Sequence, residues 1–193
     1  VKTDSLFYLL FQSAPAIFFD LISQSAAAAI GYRFGSVELK QTAFRIDGVF
    51  LPPEGVVDQP VYFVEVQFQK DEQLYRRLFA EIFLFLQQHP KITRWQAVVL
   101  YPRASVEPDE QTPYQSLLAS GQCQRVYLDT LVGTESLTVG VGLVRLVVEP
   151  KKSAATLARR LIEQAQVERL SELSSEQIIE GTSKNRFTDS QNP

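Results

Sequence analysis

The sequence predicts an α/β sandwich built around a small mixed β-sheet with α-helices packed against it. Three observations lead there. Ala43 to Leu51 and Val61 to Gln69 both alternate apolar and polar residues with period two, as half-buried strands do. A long segment with a broad apolar face at helical spacing follows and stops at Pro90. Trp95 to Tyr101 (WQAVVLY) is then continuously apolar, the pattern of a strand covered on both sheet faces.

Taken in chain order, Thr3 to Gln12 carries Leu6, Leu9 and Leu10 at helical spacing, with Thr3 or Asp4 placed to cap. Ala14-Pro15 starts a second helix, because proline is tolerated in the first turn, and this helix is expected to run into the alanines before Gly31. Gly35 to Lys40 fits a short strand or a turn. In Ala43 to Leu51, Phe44, Ile46, Gly48 and Phe50 face one way and Arg45, Asp47 and Val49 the other. Pro52-Pro53-Glu54-Gly55 breaks the chain into a hairpin. In the second strand Tyr62, Val64, Val66 and Phe68 share one face, and Val61, Phe63, Glu65, Gln67 and Gln69 share the other. Asp71 is placed to cap the helix that carries Leu74, Leu78, Ile82 and Leu86 and reaches His89. Beyond Trp95 to Tyr101 come a short helix (Tyr114 to Ala119), a short strand (Arg125 to Asp129) and a helix (Lys151 to Leu170). Ser136 to Glu149 satisfies both strand and helix patterns. The expected organisation is one domain over 1–180 with a flexible tail over 181–193.

A chain of 193 residues is long enough for a sizeable core, and 45% hydrophobic with 21% charged residues is a globular composition. No apolar run reaches the roughly 18–20 residues that span a bilayer, and no leader pattern is evident at the start. The single cysteine, Cys123, excludes an intrachain disulfide and a thiolate-rich zinc site, and a cytoplasmic location is expected. The net charge of −3 argues against a protein that coats nucleic acid non-specifically, which is usually basic. It leaves room for a nuclease, where only the cleft must attract phosphate. With His89 the only histidine, imidazole-based metal sites and HExxH hydrolases fall away. Any metal would be held by carboxylates, which suits Mg²⁺ or Mn²⁺.

The informative place is the polar face of the hairpin. Asp47 and Glu65 lie on adjacent strands, and Glu65 and Gln67 project from the same face of one strand. Carboxylates among apolar residues cost desolvation energy unless they are paired or bind a cation. Two of them converging make a hard oxygen site. The same spacing also describes an Asp that flanks a turn beside a Glu-x-Gln pair on a solvent face.

RIDGVF (Arg45 to Phe50) followed by YFVEVQFQKD (Tyr62 to Asp71) resembles the core of the PD-(D/E)XK nuclease superfamily. More closely it resembles the Rpn family of recombination-promoting nucleases and transposases, in its cyanobacterial-type members. The flanking segments DSLFYLLFQSAPAIFFDLI (Asp4 to Ile22), LYRRLFAEIFLFL (Leu74 to Leu86) and VVLYPR (Val98 to Arg103) extend the resemblance over roughly residues 3 to 150. It implies a restriction-endonuclease-like fold and Mg²⁺-dependent hydrolysis of DNA, with Mn²⁺ as a substitute ion. Asp47 and Glu65 match the family's metal-binding acids. Gln67 stands where the superfamily usually has lysine; glutamine can orient a water or a phosphate oxygen but cannot supply positive charge. Ile46 replaces the motif's proline. Arg77 matches a family arginine that reaches phosphate or pairs with the acids. Gln69 is a supporting candidate, and Asp4 is a distant match to an acid carried on the first helix.

The expected function is therefore a DNA endonuclease with Asp47, Glu65 and Gln67 as its catalytic set, acting without a membrane and as a homodimer if both strands are cut. The alternative is a catalytically inactive module of the same fold that binds nucleic acid or protein.

Overall fold

The computed structural model describes residues 3–38, 45–56, 58–131 and 137–188, with side chains described over 5–37, 48–56, 58–131 and 137–169. The chain divides into two compact units, Val1–Gly133 and Thr134–Pro193.

The first unit is built on a five-stranded mixed sheet whose strands lie in chain order: β1 (Arg33–Glu38), β2 (Arg45–Leu51), β3 (Val61–Val66), β4 (Trp95–Tyr101) and β5 (Cys123–Tyr127). β1, β2 and β3 pair antiparallel; β3, β4 and β5 pair parallel. Parallel neighbours need a crossover. The helix α3 (Leu74–Gln88) makes it between β3 and β4, and a segment containing α4 (Gln115–Ala119) makes it between β4 and β5. The helices α1 (Thr3–Ser13) and α2 (Pro15–Leu21) precede the sheet. The mixed α/β architecture read from the sequence is the architecture observed.

The alternation in the strands sorts the two layers. Val49, Val61 and Phe63 join Leu74, Leu78, Ile82 and Phe85 of α3 in one buried cluster. Phe50 and Tyr62, one residue away on each strand, meet the aromatic side chains of α2 instead: Phe18 stacks on Phe50 with ring centroids 4.3 Å apart, and Phe19 meets Tyr62 at 5.4 Å. Each fully buried ring contributes about 1.5–3 kcal/mol through area removed from water. Ala97, Val98, Val99, Leu100 and Tyr101 of β4 are all fully buried, as a central parallel strand requires.

Several local expectations change. The buried stripe of α1 is Phe7 and Phe11, which face the aromatic side of the sheet, while Leu6 and Leu9 are exposed. The second helix stops at Leu21 rather than running into the alanines; Ser23 takes a positive φ of 58°, and Ser25 caps a separate 3-10 turn over Ala26–Ala29. Within the expected segment Gly35 to Lys40, Gly35 to Glu38 form the end of strand β1, and Leu39 and Lys40 lie outside the described residues. Asp71 does not cap α3, which starts at Leu74; it accepts the Gln73 N–H at 2.9 Å from the loop before. The fifth strand ends at Tyr127, and Leu128–Thr130 is a 3-10 turn.

The second unit holds α5 (Val139–Leu146) and α6 (Lys151–Thr188). The ambiguous segment before Glu149 is thus helical. Thr138 caps it by accepting the Val141 N–H at 3.3 Å, and Val141 and Val144 are buried. Gly142 sits so close to Leu161 that an added Cβ would meet its Cδ2 at 2.2 Å, which places the two helices in direct contact there. Among the described residues no helix is long and apolar enough to cross a membrane.

Candidate active site

The C-terminal end of β3 carries the site. Glu65 is its next-to-last residue and points to the same side as Phe63, toward α3. The main chain stays in the sheet past the strand's end, because the Gln67 N–H donates to the Leu100 carbonyl at 2.9 Å. That bond fixes Gln67, which is buried, and its side-chain Nε2 donates to the Gln69 carbonyl. Gln69 is therefore engaged through its main chain, and its side chain is exposed.

Arg77 comes to this edge from the first turn of α3. Its Nη2 donates to Glu65 Oε1 at 3.1 Å and its Nη1 to Asp71 Oδ2 at 2.7 Å. All three side chains are partly buried, with 40% of Arg77, 24% of Glu65 and 30% of Asp71 exposed, so the pairs are less screened than surface ion pairs. The Arg77 hydrogen bond, followed by that from the Gln73 N–H, holds the Asp71 carboxyl below its usual range. Burial works against the Arg77 charge, but the bond to Asp71 and the charge of Glu65 outweigh it and the guanidinium pKa is raised. Two carboxylates facing one guanidinium leave one surplus negative charge at the site.

A pocket of about 240 Å³ opens at this edge. Glu65, Gln67 and Arg77 line it on the polar side, and Tyr8, Phe34 and Gly48 are among the residues that close it. Gly48 has no room for a side chain: a Cβ there would lie 2.6 Å from the Val64 carbonyl oxygen and 3.3 Å from the Phe34 ring. A larger hollow of about 380 Å³ lies at the opposite end of the same strands, around Arg94, Trp95 and Gln122, and no carboxylate lines it. Of these two hollows among the described residues, the smaller is lined by a carboxylate and a guanidinium, and it is the candidate site.

Asp47 lies on β2, but its side chain is outside the described residues, as is that of Asp4 on α1. The backbone gives two facts about position 47. The β1–β2 register shifts between Gly35 and Val37, which pair with Val49 and Ile46, so β2 spends an extra residue across Asp47 and Gly48. β2 pairs with β3 through Val49↔Phe63 and Phe50↔Tyr62, so Asp47 lies on the strand next to the one that carries Glu65. Among the described residues no three His, Cys, Asp or Glu side chains converge as a metal-binding group. The described donor chemistry, a carboxylate beside a carboxamide in a partly buried pocket, is of the hard-oxygen kind that Mg²⁺ takes.

The family described as "Protein of unknown function (DUF2887)" matches residues 3–191. The chain belongs to the DUF2887 family. Comparison with curated proteins and with solved structures finds no match. The DUF2887 match covers every element that builds the pocket, from α1 through α3.

Two features of this DUF2887 chain are not visible in local sequence patterns. Asp71 was assigned to a helix cap and instead anchors Arg77; an acid between a strand end and an arginine in the next helical turn was the available signal. The second is a polar cluster around Glu107, in the loop after β4, whose carboxylate accepts from Tyr75 at 2.7 Å, from Arg125 at 3.1 Å and from Tyr127. Its members come from three separate segments, so no local spacing marks it.

Proposed function

We propose that this chain is a divalent-cation-dependent nuclease of the PD-(D/E)XK type, akin to the Rpn recombination-promoting nucleases, that hydrolyses phosphodiester bonds in DNA. The observation that supports it most is the gathering of Glu65, Gln67 and Arg77 in one pocket, beside the strand that carries Asp47. Asp47 and Glu65 are the residues that would hold Mg²⁺ or Mn²⁺. Such an ion lowers the pKa of a bound water and offsets charge on phosphate. Gln67 would orient water through its amide oxygen, its Nε2 being engaged with the Gln69 carbonyl, and Arg77 would hold a non-bridging phosphate oxygen. The reading carries with it DNA as partner, a cytoplasmic location, and a homodimer where both strands are cut.

Incubation of the purified protein with supercoiled plasmid and Mg²⁺ tests it, beside Asp47→Ala and Glu65→Ala. Cleavage by the wild type alone supports the reading. Equal cleavage by all three proteins would assign the activity to a contaminant.

One observation favours a second reading, a binding module without turnover. Gln67 brings no positive charge, and its amide is already committed to the Gln69 carbonyl. That reading expects DNA binding without cleavage in either metal ion.

A further inference from the structure

We propose that Asp71 is a positioning residue: it keeps Arg77 at the pocket while Glu65 exchanges the guanidinium for a divalent cation. The inference rests on the cation-binding reading of Glu65 and goes beyond it, because it assigns a role to a residue outside the Asp-Glu-x-Gln set.

The geometry divides the guanidinium between two acids through two different nitrogens. Nη2 serves Glu65 at 3.1 Å and Nη1 serves Asp71 at 2.7 Å, so one bond can break while the other holds. Asp71 is itself fixed, since its Oδ1 accepts the Gln73 N–H at 2.9 Å while its Oδ2 accepts from Arg77. It sits in the loop that joins the strand carrying Glu65 to the helix carrying Arg77. A cation arriving at Glu65 competes with the guanidinium for the same carboxylate. With Asp71 in place, Arg77 gives up Glu65 without leaving the site and keeps one edge to meet a phosphate oxygen. Without the Asp71 charge, the guanidinium can turn both of its donors on Glu65, the strong bidentate mode. Arg77 then becomes a better competitor, and cation binding weakens.

The test is a Mg²⁺ titration of the whole protein, read by calorimetry and by the Mg²⁺-dependent rise in Tm, on wild type, Asp71→Asn and Asp71→Asn/Arg77→Gln. Asparagine keeps a carbonyl oxygen for the Gln73 N–H, so the loop bond survives and only the charge is lost. Asp71→Asn should raise the half-saturating Mg²⁺ concentration about tenfold, a coupling of ordinary size between neighbouring sites. Removing Arg77 as well should return it to the wild-type value or below. Loss of the Asp71 charge by itself would weaken Mg²⁺ binding equally with and without Arg77, so Arg77→Gln alone is titrated as well, and it should share the midpoint of the double variant.

An unchanged midpoint in Asp71→Asn overturns the inference, and so does a double variant as weak as Asp71→Asn alone. A wild type that takes up no Mg²⁺ overturns both this inference and the nuclease reading. Uptake with the expected reversal, but no DNA cleavage, supports the inference and removes only the nuclease reading.

Discussion

Nη2 of Arg77, in the first turn of α3, lies 3.1 Å from Oε1 of Glu65 at the end of β3. Each partner is adjacent to the core in its own element: Phe63 stands two residues before Glu65, and Leu78 follows Arg77, and both belong to the same buried cluster. The pair is therefore held by the packing of α3 on the sheet rather than by the pair itself. A site whose geometry is set by a packed core is pre-organised, which is what ligand binding at a fixed distance requires.

The acid at the other end of Arg77 gives a prediction about pH. Asp71 has a folded pKa below its unfolded value of 3.8. Its contribution is complete above that value and is lost as pH falls through the lower folded one. Asp71→Asn should cost about 0.5–1 kcal/mol at neutral pH, as partly exposed ion pairs do. The gap in Tm between wild type and variant should be constant from pH 7 to pH 5 and close in stronger acid. A gap that does not narrow at all as the pH falls below 3.8 contradicts this assignment.

Glu107 gives a prediction about stability away from the pocket. Its carboxylate is 9% exposed and satisfies Arg125 and two phenols. Glu107→Ala leaves a partly buried guanidinium and two hydroxyls without that acceptor, and should cost about 3–5 kcal/mol in urea unfolding. Burial, followed by the bond to Glu107, pushes the Tyr127 phenol up to about 12. Tyr127 should accordingly stay protonated at pH 11 in a spectrophotometric titration of the native protein, and ionise there once the fold is lost.

Gly48 gives a prediction about space. The Val64 carbonyl that its missing Cβ would strike is main chain, directly before Glu65, so relief requires β2 or β3 to move. Gly48→Ala should destabilise by about 1–3 kcal/mol, the range for overpacking. Gly35→Ala, where nothing lies within 4 Å of the added Cβ, is the control and should cost far less.

Much of the fold was legible because period-two alternation is a local signal. Phe50 against Val49, and Tyr62 against Phe63, separate onto the two sheet faces as the pattern required. WQAVVLY became a central strand for the same reason. What was not legible depends on partners distant in sequence. Leu6 and Leu9 match a helical stripe as well as Phe7 and Phe11 do, and only the aromatic face of the sheet selects the phenylalanines. Ser136 to Glu149 fits strand and helix patterns alike until the second unit supplies Leu161 opposite Gly142. Within the candidate site, strand spacing puts Glu65 and Gln67 on one face and the resemblance adds Arg77, and the three line one pocket. The role of Asp71 is not legible because its partner is fixed by where α3 begins, two residues later than a cap at Asp71 implies.

Binding of Mg²⁺ by Glu65 is the central claim, and calorimetric titration of the wild type beside Glu65→Gln and Asp47→Asn tests it most directly. The account predicts saturable uptake and a rise in Tm in the wild type, both lost in each variant, since a ligand that binds only the native state must stabilise it. No uptake by the wild type, or equal uptake by all three proteins, would contradict it.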